Sequence, residues 1–342
     1  MGRMAIADPF SAPFGTLFGD QITVAHGSPE GYSYIGSAQP LANFALHPGT
    51  HALHYGSTCF EGLKAHAQTD GSVAIFRVDD HVARFRRSIE LLRLPVPSTE
   101  LVRDMFMHAA SANVSHTPPQ PGALYLRPTI IGADPNIGAA AAPSQTSLLY
   151  VLTSPVGDYF AGGIRPLSLL VETETPRTTP QFGSIKSGAN YVMALGPTLD
   201  AKAAHGVDQV LFATEGDTTE TGAANFFLVD DNRLITRNLD TSFLHGVTRS
   251  SIITMAADLG YTIEERSLPA SEILGSAADT EMFLSGTAAI IAPVGSLVSG
   301  GATIPVRDGQ PGPNTLRLRQ ALVDVQSGAA PDPHSWRTII PG

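Results

Sequence analysis

The chain has 342 residues, 43% hydrophobic and 15% charged, enough apolar material for a packed core and too much for a disordered tail. Its 31 acidic and 21 basic residues leave a net charge of −10, which argues against a nucleic-acid binder that tracks phosphates with a basic face. The single cysteine, Cys59, excludes a disulfide framework and a cysteine-held zinc or iron–sulfur site, and no apolar run of about 18 residues is present to span a bilayer.

At roughly 150 residues per domain the length predicts two domains. The opening stretch MGRMAIADPFSAPFG has Asp8, Pro9 and Pro13 where a signal peptide needs an apolar run. It has Ile6 where a myristoylation signal needs Ser or Thr, so a cytoplasmic protein is expected. Residues 1–50 read as loops with short strands. SVAIFRV is β-branched and alternating, a strand. DDHVARFRRSIELLRLP is a helix capped by Asp79 or Asp80, with Val82, Phe85, Ile89 and Leu92 along one face and Pro95 past its end. ELVRDMFMHAASAN reads as a second helix, and ALYLRPTIIG and TSLLYVLTSP as strands. The Gly- and Pro-rich stretch 154–166 reads as an interdomain loop. It separates a small N-terminal domain, 1–153, from a large C-terminal one, 167–342.

Beyond that loop SLLVETET reads as a strand. GSIKSGANYVMALGPTLDAKAAHG contains a helix closed by Gly206, with Pro197 kinking it or delaying its start. DQVLFAT, TTETGAANFFLV and RLITR form a meander, HGVTRSSIITMAADLG a helix ended by Gly260, and TEMFLSGTAAIIAPV a strand passing through a Gly-Thr turn. The tail from Gln326 is polar and proline-rich, with the lone Trp336. Antiparallel strand groups with segregated helices make both halves α+β.

Only three of the 21 basic residues are lysines: Lys64, Lys186 and Lys202. The usual fate of a lysine is a solvated surface, by roughly ten to one. Lys202, in LDAKAAHG, fits that fate, and Lys64 is open to it as a strand-end residue. Lys186 stands apart in SIKSGANY. Small uncharged neighbours let a flat ring lie beside its amine, a setting that makes lysine a nucleophile for carbonyl carbon. Glu220, in TTETG, is a strand carboxylate able to hold a ring N–H⁺, against odds of roughly three to one for a solvent-facing residue. Arg84 lies opposite the apolar stripe on a helical wheel and so reads as solvated, with Arg86 and Arg87 equally open to a role. GVTR before a helix and SGTAA after a strand each place a glycine and a hydroxyl at a turn, a weak anion-site signal. No HExxH, GxSxG or GxxxxGK[ST] pattern occurs, and the eleven histidines are scattered.

In order, HALHYGSTCFEGLKAH, FRVDDHVARFRRS, YLRPTIIG, KSGANY, TETGAANFFLV, GVTR and SGTAA resemble the branched-chain amino acid aminotransferases, within the class IV (fold type IV) enzymes that use pyridoxal 5′-phosphate. The matching stretches span 51 to about 290. The resemblance implies two α+β domains with the cofactor in the interdomain cleft, in a homodimer or an assembly of dimers, with no nucleic-acid or membrane partner. It implies that Lys186 holds the cofactor as a Schiff base and acts as acid and base, that Glu220 pairs with the pyridine nitrogen, and that Tyr191 bonds the ring oxygen. Arg84, the Val247 N–H, Thr248 and Thr287 would bind the phosphate. Tyr55, Phe60, Tyr125, Arg127, Tyr159, Thr287 and Ala288 would line a pocket for leucine, isoleucine and valine, with Arg127 meeting the second carboxylate of glutamate or 2-oxoglutarate. Val156, taken as part of the interdomain loop, stands where bacterial relatives often carry a large aromatic residue, and would widen the pocket toward aromatic amino acids or amines. The alternatives are another class IV activity, namely (R)-amine or D-amino acid transaminase or aminodeoxychorismate lyase, and a non-catalytic scaffold. YLRP at Tyr125–Pro128 and HYGSTCFEG at His54–Gly62 look branched-chain in type.

Overall fold

The computed structural model describes residues 8–160 and 162–341. Met1 to Ala7, with Ile6, and Ala161 of the expected interdomain loop lie outside the described residues, as does Gly342.

In chain order the elements are β1 (Gln21–Ser28), β2 (Gly31–Tyr34), β3 (Gln39–Pro40), α1 (His51–Tyr55), β4 (Thr58–Phe60), β5 (Leu63–Ala67), β6 (Val73–Phe76), α2 (Val78–Leu91), α3 (Thr99–Ala112), β7 (Ala123–Gly132) and β8 (Ser147–Val156). Then come β9 (Leu167–Glu172), α4 (Gly188–His205), β10 (Gln209–Phe212), β11 (Asn225–Asp230), β12 (Arg233–Arg237), α5 (Val247–Asp258) and β13 (Thr262–Arg266). The last are α6 (Ala270–Ser276), β14 (Glu281–Gly286), β15 (Ile290–Ser299), β16 (Ala302–Pro305), α7 (Pro313–Ser327) and β17 (Arg337–Ile339).

The described residues pack as two compact units, one of 8–160, 186–188 and 325–341, the other of 162–185 and 189–324. This differs from the expected 167–342 domain at two places. Lys186 counts with the first unit because Phe60 N–H donates to its carbonyl at 3.0 Å. The proline-rich tail belongs there too. It ends in β17, antiparallel to β6, with Trp336 edge-on to Phe76 at 5.6 Å.

The first unit carries an antiparallel sheet in the order β17-β6-β5-β7-β8-β1-β2, with β3 on β1 and β4 on β7. Alternation assigns its faces. Leu124, Leu126 and Ile130 of β7 join Leu63, Ala65 and Ile75 in a core closed by Val82, Phe85 and Ile89 of α2 and Met105 and Phe106 of α3. Tyr125 and Arg127, one residue out of phase, point to the other face. Val82, Phe85 and Ile89 of the apolar stripe are buried and Leu92, just past the end of α2, is half-buried, but neither Asp79 nor Asp80 caps the helix. Arg77, left-handed at φ 54°, is the cap, and the two aspartates sit in the first turn, where their charge favours the helix dipole. Ser98 caps α3 by accepting from Leu101 N–H at 3.1 Å.

The second unit holds a mixed sheet in the order β10-β9-β15-β14-β11-β12-β13, with β16 on β15. Its β10/β9, β9/β15 and β12/β13 pairs are parallel. Phe227 and Phe283 stack across strands at 4.9 Å. Pro197 lies inside α4 and does not delay its start. Sequence periodicity gave no helix at α7. Its start is fixed by buried Glu281, which accepts from the backbone N–H of Asn314 at 3.1 Å and of Thr315 at 2.8 Å, and from both of their side chains. No described helix is long and apolar enough to cross a membrane. Among the described residues no cluster of His, Cys, Asp and Glu could hold a metal ion.

Candidate active site

The candidate residues fall into two groups, one in each unit. In the first unit Lys186 is half-buried and strapped down through its backbone. Its N–H donates to Ser88 Oγ of α2 at 3.2 Å, and the neighbouring Ser187 hydroxyl donates to Thr58 O at 2.9 Å. The amine Nζ lies 5.2 Å from the centre of the Phe60 ring. Arg127 Cζ lies 4.7 Å from that same ring and 5.2 Å from the Tyr125 ring, and its Nη2 donates to the Tyr125 hydroxyl at 3.0 Å. Four predicted residues are thus brought together: Lys186, Phe60, Arg127 and Tyr125. Gly62 makes room for this, since a Cβ there would fall 1.9 Å from the Tyr125 hydroxyl oxygen.

Tyr55 and Tyr159 have other neighbours. Tyr55, at the end of α1, donates to Ile137 O and packs on the His51 ring at 4.8 Å; Tyr159 meets Phe160 edge-on at 5.1 Å. Val156 needs correction. It is not in a loop but ends β8, buried against Ala123 and Tyr125, because the β7–β8 pairing continues to the Ala123↔Val156 register.

Arg84 also departs from the helical wheel. Its side chain is only 11% exposed, and it grips Glu61 through two bonds, Nε to Oε2 at 2.8 Å and Nη2 to Oε1 at 2.5 Å. The wheel fails because α2 packs on two sides, its second face meeting the segment after β4. Arg86 donates to Pro97 O at 2.8 Å, and Arg87 is exposed. Glu61 is fully buried, and His81 Nδ1 lies 3.2 Å from its Oε1. Despite the burial, the Arg84 charge first, with His81 beside it, holds the Glu61 carboxyl far below the usual carboxylate range. Burial pushes His81 below its ordinary value, against the pull of Glu61.

In the second unit Glu220 is 1% exposed and lies not in a strand but in a single bridge to Asn225. Arg177 Nη1 is 2.9 Å from its Oε1 and just as buried. Leu244 N–H donates to Oε1 at 2.9 Å and Asn225 Nδ2 to Oε2 at 3.3 Å. Arg177 Cζ also lies 5.8 Å from the ring of Tyr191, on α4, which brings two predicted residues under one cation. Val247 and Thr248 are buried and open α5, whose start has no side-chain cap. Gly246 precedes them so tightly that a Cβ would lie 2.1 Å from Asn225 Oδ1. Asn225 Nδ2 donates to Leu244 O at 2.9 Å, so this one amide links Glu220 to the run before α5. Thr287 and Ala288 sit in the turn joining β14 to β15. Arg319 of α7 holds that turn by donating to Ala289 O at 2.8 Å.

Sequence reasoning missed Glu61, His81, Arg177, Asn225 and Arg319. An acid inside the apolar run CFEGLKA was the available signal for Glu61. Arg177, in a Thr/Pro stretch with no period, offered none.

The sequence profile described as Amino-transferase class IV matches residues 58–297. A probable branched-chain-amino-acid aminotransferase of Streptomyces coelicolor is 38% identical, over 94% of this chain and 91% of its own. The branched-chain-amino-acid aminotransferase of Mycobacterium tuberculosis is 37% identical, over 87% and 83%. Among solved structures, the Escherichia coli branched-chain amino acid aminotransferase superposes with a TM-score of 0.78 at 27% identity, covering 94% of this chain and all of that one. A second branched-chain amino acid aminotransferase, from T.th. and solved with pyridoxamine 5′-phosphate, also gives 0.78 at 27%, over 95% and 100%. The chain belongs to the class IV aminotransferases and, within them, to the branched-chain amino acid aminotransferase family.

Proposed function

We propose that the protein is a pyridoxal 5′-phosphate-dependent transaminase that moves the amino group of L-leucine, L-isoleucine or L-valine to 2-oxoglutarate, giving branched-chain 2-oxo acids and L-glutamate. The observation that carries this is the near full-length likeness to the S. coelicolor and M. tuberculosis enzymes.

The donor set fits the cofactor. Glu220, ion-paired to Arg177, is a buried carboxylate of the kind a pyridine N–H⁺ requires. The uncapped start of α5 offers N–H groups with the Thr248 hydroxyl beside them, and Arg84 offers a guanidinium, the donors a phosphate monoester takes. Thr287 would complete the phosphate set, and Tyr191 would bond the ring oxygen. When bound, the cofactor supplies a protonated conjugated ring that absorbs the electron pair left by a departing α-proton. Lys186 Nζ would anchor it and, once released, would hold or move the α-proton. Glu220 keeps negative charge beside the ring nitrogen. Phe60, Tyr125, Tyr55 and Tyr159 give aromatic walls for an aliphatic side chain, with Ala288 and Thr287 at the turn. Arg127 meets the second carboxylate of glutamate.

Lys186→Ala is expected to abolish transfer from L-leucine while Lys202→Ala leaves it nearly intact. Borohydride reduction followed by peptide mapping should put the cofactor on Lys186. A label on Lys64 or Lys202, or none, defeats the assignment. Side-by-side assays with L-leucine, D-alanine and an (R)-arylamine set the substrate class, and a tenfold preference for D-alanine would overturn it.

A homodimer or assembly of dimers goes with this function. Val192, Met193, Leu195 and Leu199 stand exposed along α4, apolar surface suited to a second copy. A cytoplasmic setting is consistent with Cys59, a buried thiol outside any disulfide.

A further inference from the structure

The phosphate role proposed for Arg84 rests on the function above, and the geometry behind Arg84 goes further. Arginine is a long, flexible side chain, yet Glu61 takes two of the five N–H groups of Arg84 and fixes the guanidinium plane, directing the other three away from the carboxylate. Glu61 is itself pinned. Its Oε1 accepts from Gly62 N–H at 2.7 Å, and its own N–H donates to Pro128 O at 2.9 Å. His81, Arg84 and Ser88 lie at i, i+3 and i+7 on α2, one face of the helix. The first two touch Glu61, and the third holds the Lys186 N–H. Phe60, the residue before Glu61, donates its N–H to the Lys186 carbonyl. The contacts therefore close a ring: Glu61 to Arg84, along α2 to Ser88, to Lys186, to Phe60 and back to Glu61.

We propose that Glu61 is a positioning residue that sets the Arg84 guanidinium for a phosphate monoester and holds it in register with the backbone of Lys186. Its effect is one of geometry, because its charge offsets that of Arg84 and adds no attraction for an anion. An oriented guanidinium binds without losing side-chain freedom at that moment, and removing such a support weakens binding even though the support touches no ligand.

The test uses the full chain stripped of cofactor, titrated with pyridoxal 5′-phosphate and, separately, with unphosphorylated pyridoxal, each followed by absorbance. Glu61→Gln removes the charge and one point of the two-point grip. It is expected to raise the dissociation constant of the phosphorylated compound about tenfold or more while pyridoxal stays within about twofold. Equal weakening of both compounds, or unchanged or tighter phosphate-dependent binding, overturns the proposal. Glu61→Asp keeps the charge but draws it back by one methylene, and should show the same selective loss if the amide variant does not fold. Unaltered affinity in that variant is equally fatal. Arg84→Lys combined with Glu61→Gln should lose little more than either alone, because both act on one contact. Borohydride labelling of the unaltered chain separates the two claims. No label on Lys186 defeats the proposed function, whereas a labelled Lys186 with unaffected Glu61 variants defeats only this inference.

Discussion

His66 lies buried in β5, with neither ring nitrogen making a hydrogen bond to the described residues. Burial first, and then the nearby Lys64 charge, push its imidazole down to about 3. In the unfolded chain the same group titrates near ~6.5. Between those values the unfolded state binds a proton that the folded state refuses, so stability is complete above the unfolded value and falls as the pH drops through the window. The slope is at most about 1.4 kcal/mol per pH unit for one group. His66→Leu should therefore flatten the fall in urea midpoint between pH 7 and pH 4.5. Because His81 is shifted in the same direction, part of the slope should survive. An unchanged slope would show that His66 does not resist protonation. None of this was visible beforehand, because alternation in LKAHA says which residues share a face and not which face lacks partners. Lys186 stood out by its small neighbours, whereas residue type alone spoke against Glu220, whose burial only the structure shows. The groups that pin them could not be singled out, since Arg177 and Ser88 are distant in sequence from the residues they hold.

At the level of elements, the periodic segments were the readable ones. The stripe of α2, the strands β7 and β8 and the Gly-Thr turn appear where spacing put them, although the single strand read through that turn is two, β14 and β15. Helix α7 was not readable, because its place depends on a carboxylate more than thirty residues away. Glu281 meets four donors at the start of that helix, and Arg319 further along it reaches the Thr287–Ala289 turn. Glu281→Ala would strand those donors at a buried helix start and is expected to cost about 2–3 kcal/mol in chemical denaturation. If the turn serves as proposed, KM for L-leucine should rise as well. A loss below about 0.5 kcal/mol would mean that water replaces the carboxylate.

Over the whole molecule, composition pointed to a core-forming chain and length to two parts, but neither said where the parts divide. Packing assigns the last residues to the first unit through β17 and Trp336, a long-range pairing that no local pattern announces. Surface character is legible in one direction only. Buried Asn190, Ala194 and Ala201 lie along one side of α4, while Val192, Leu195 and Leu199 stay exposed along another. If copies associate through α4 as proposed, a charge placed in that exposed row by Leu195→Glu should shift the protein toward monomer in sedimentation or light scattering, with little effect on folding. A particle of unaltered size would put the contact between copies elsewhere.

Val156 lies behind Tyr125, packed against it at the end of β8. If Tyr125 lines the pocket as proposed, bulk at that spot would reach an incoming amino acid second-hand, by tilting a phenol whose hydroxyl leans on the bare backbone of Gly62. On that reading substrate range could drift by exchanging residues beneath the pocket, and a search for broadened specificity would do well to randomise that layer before the lining.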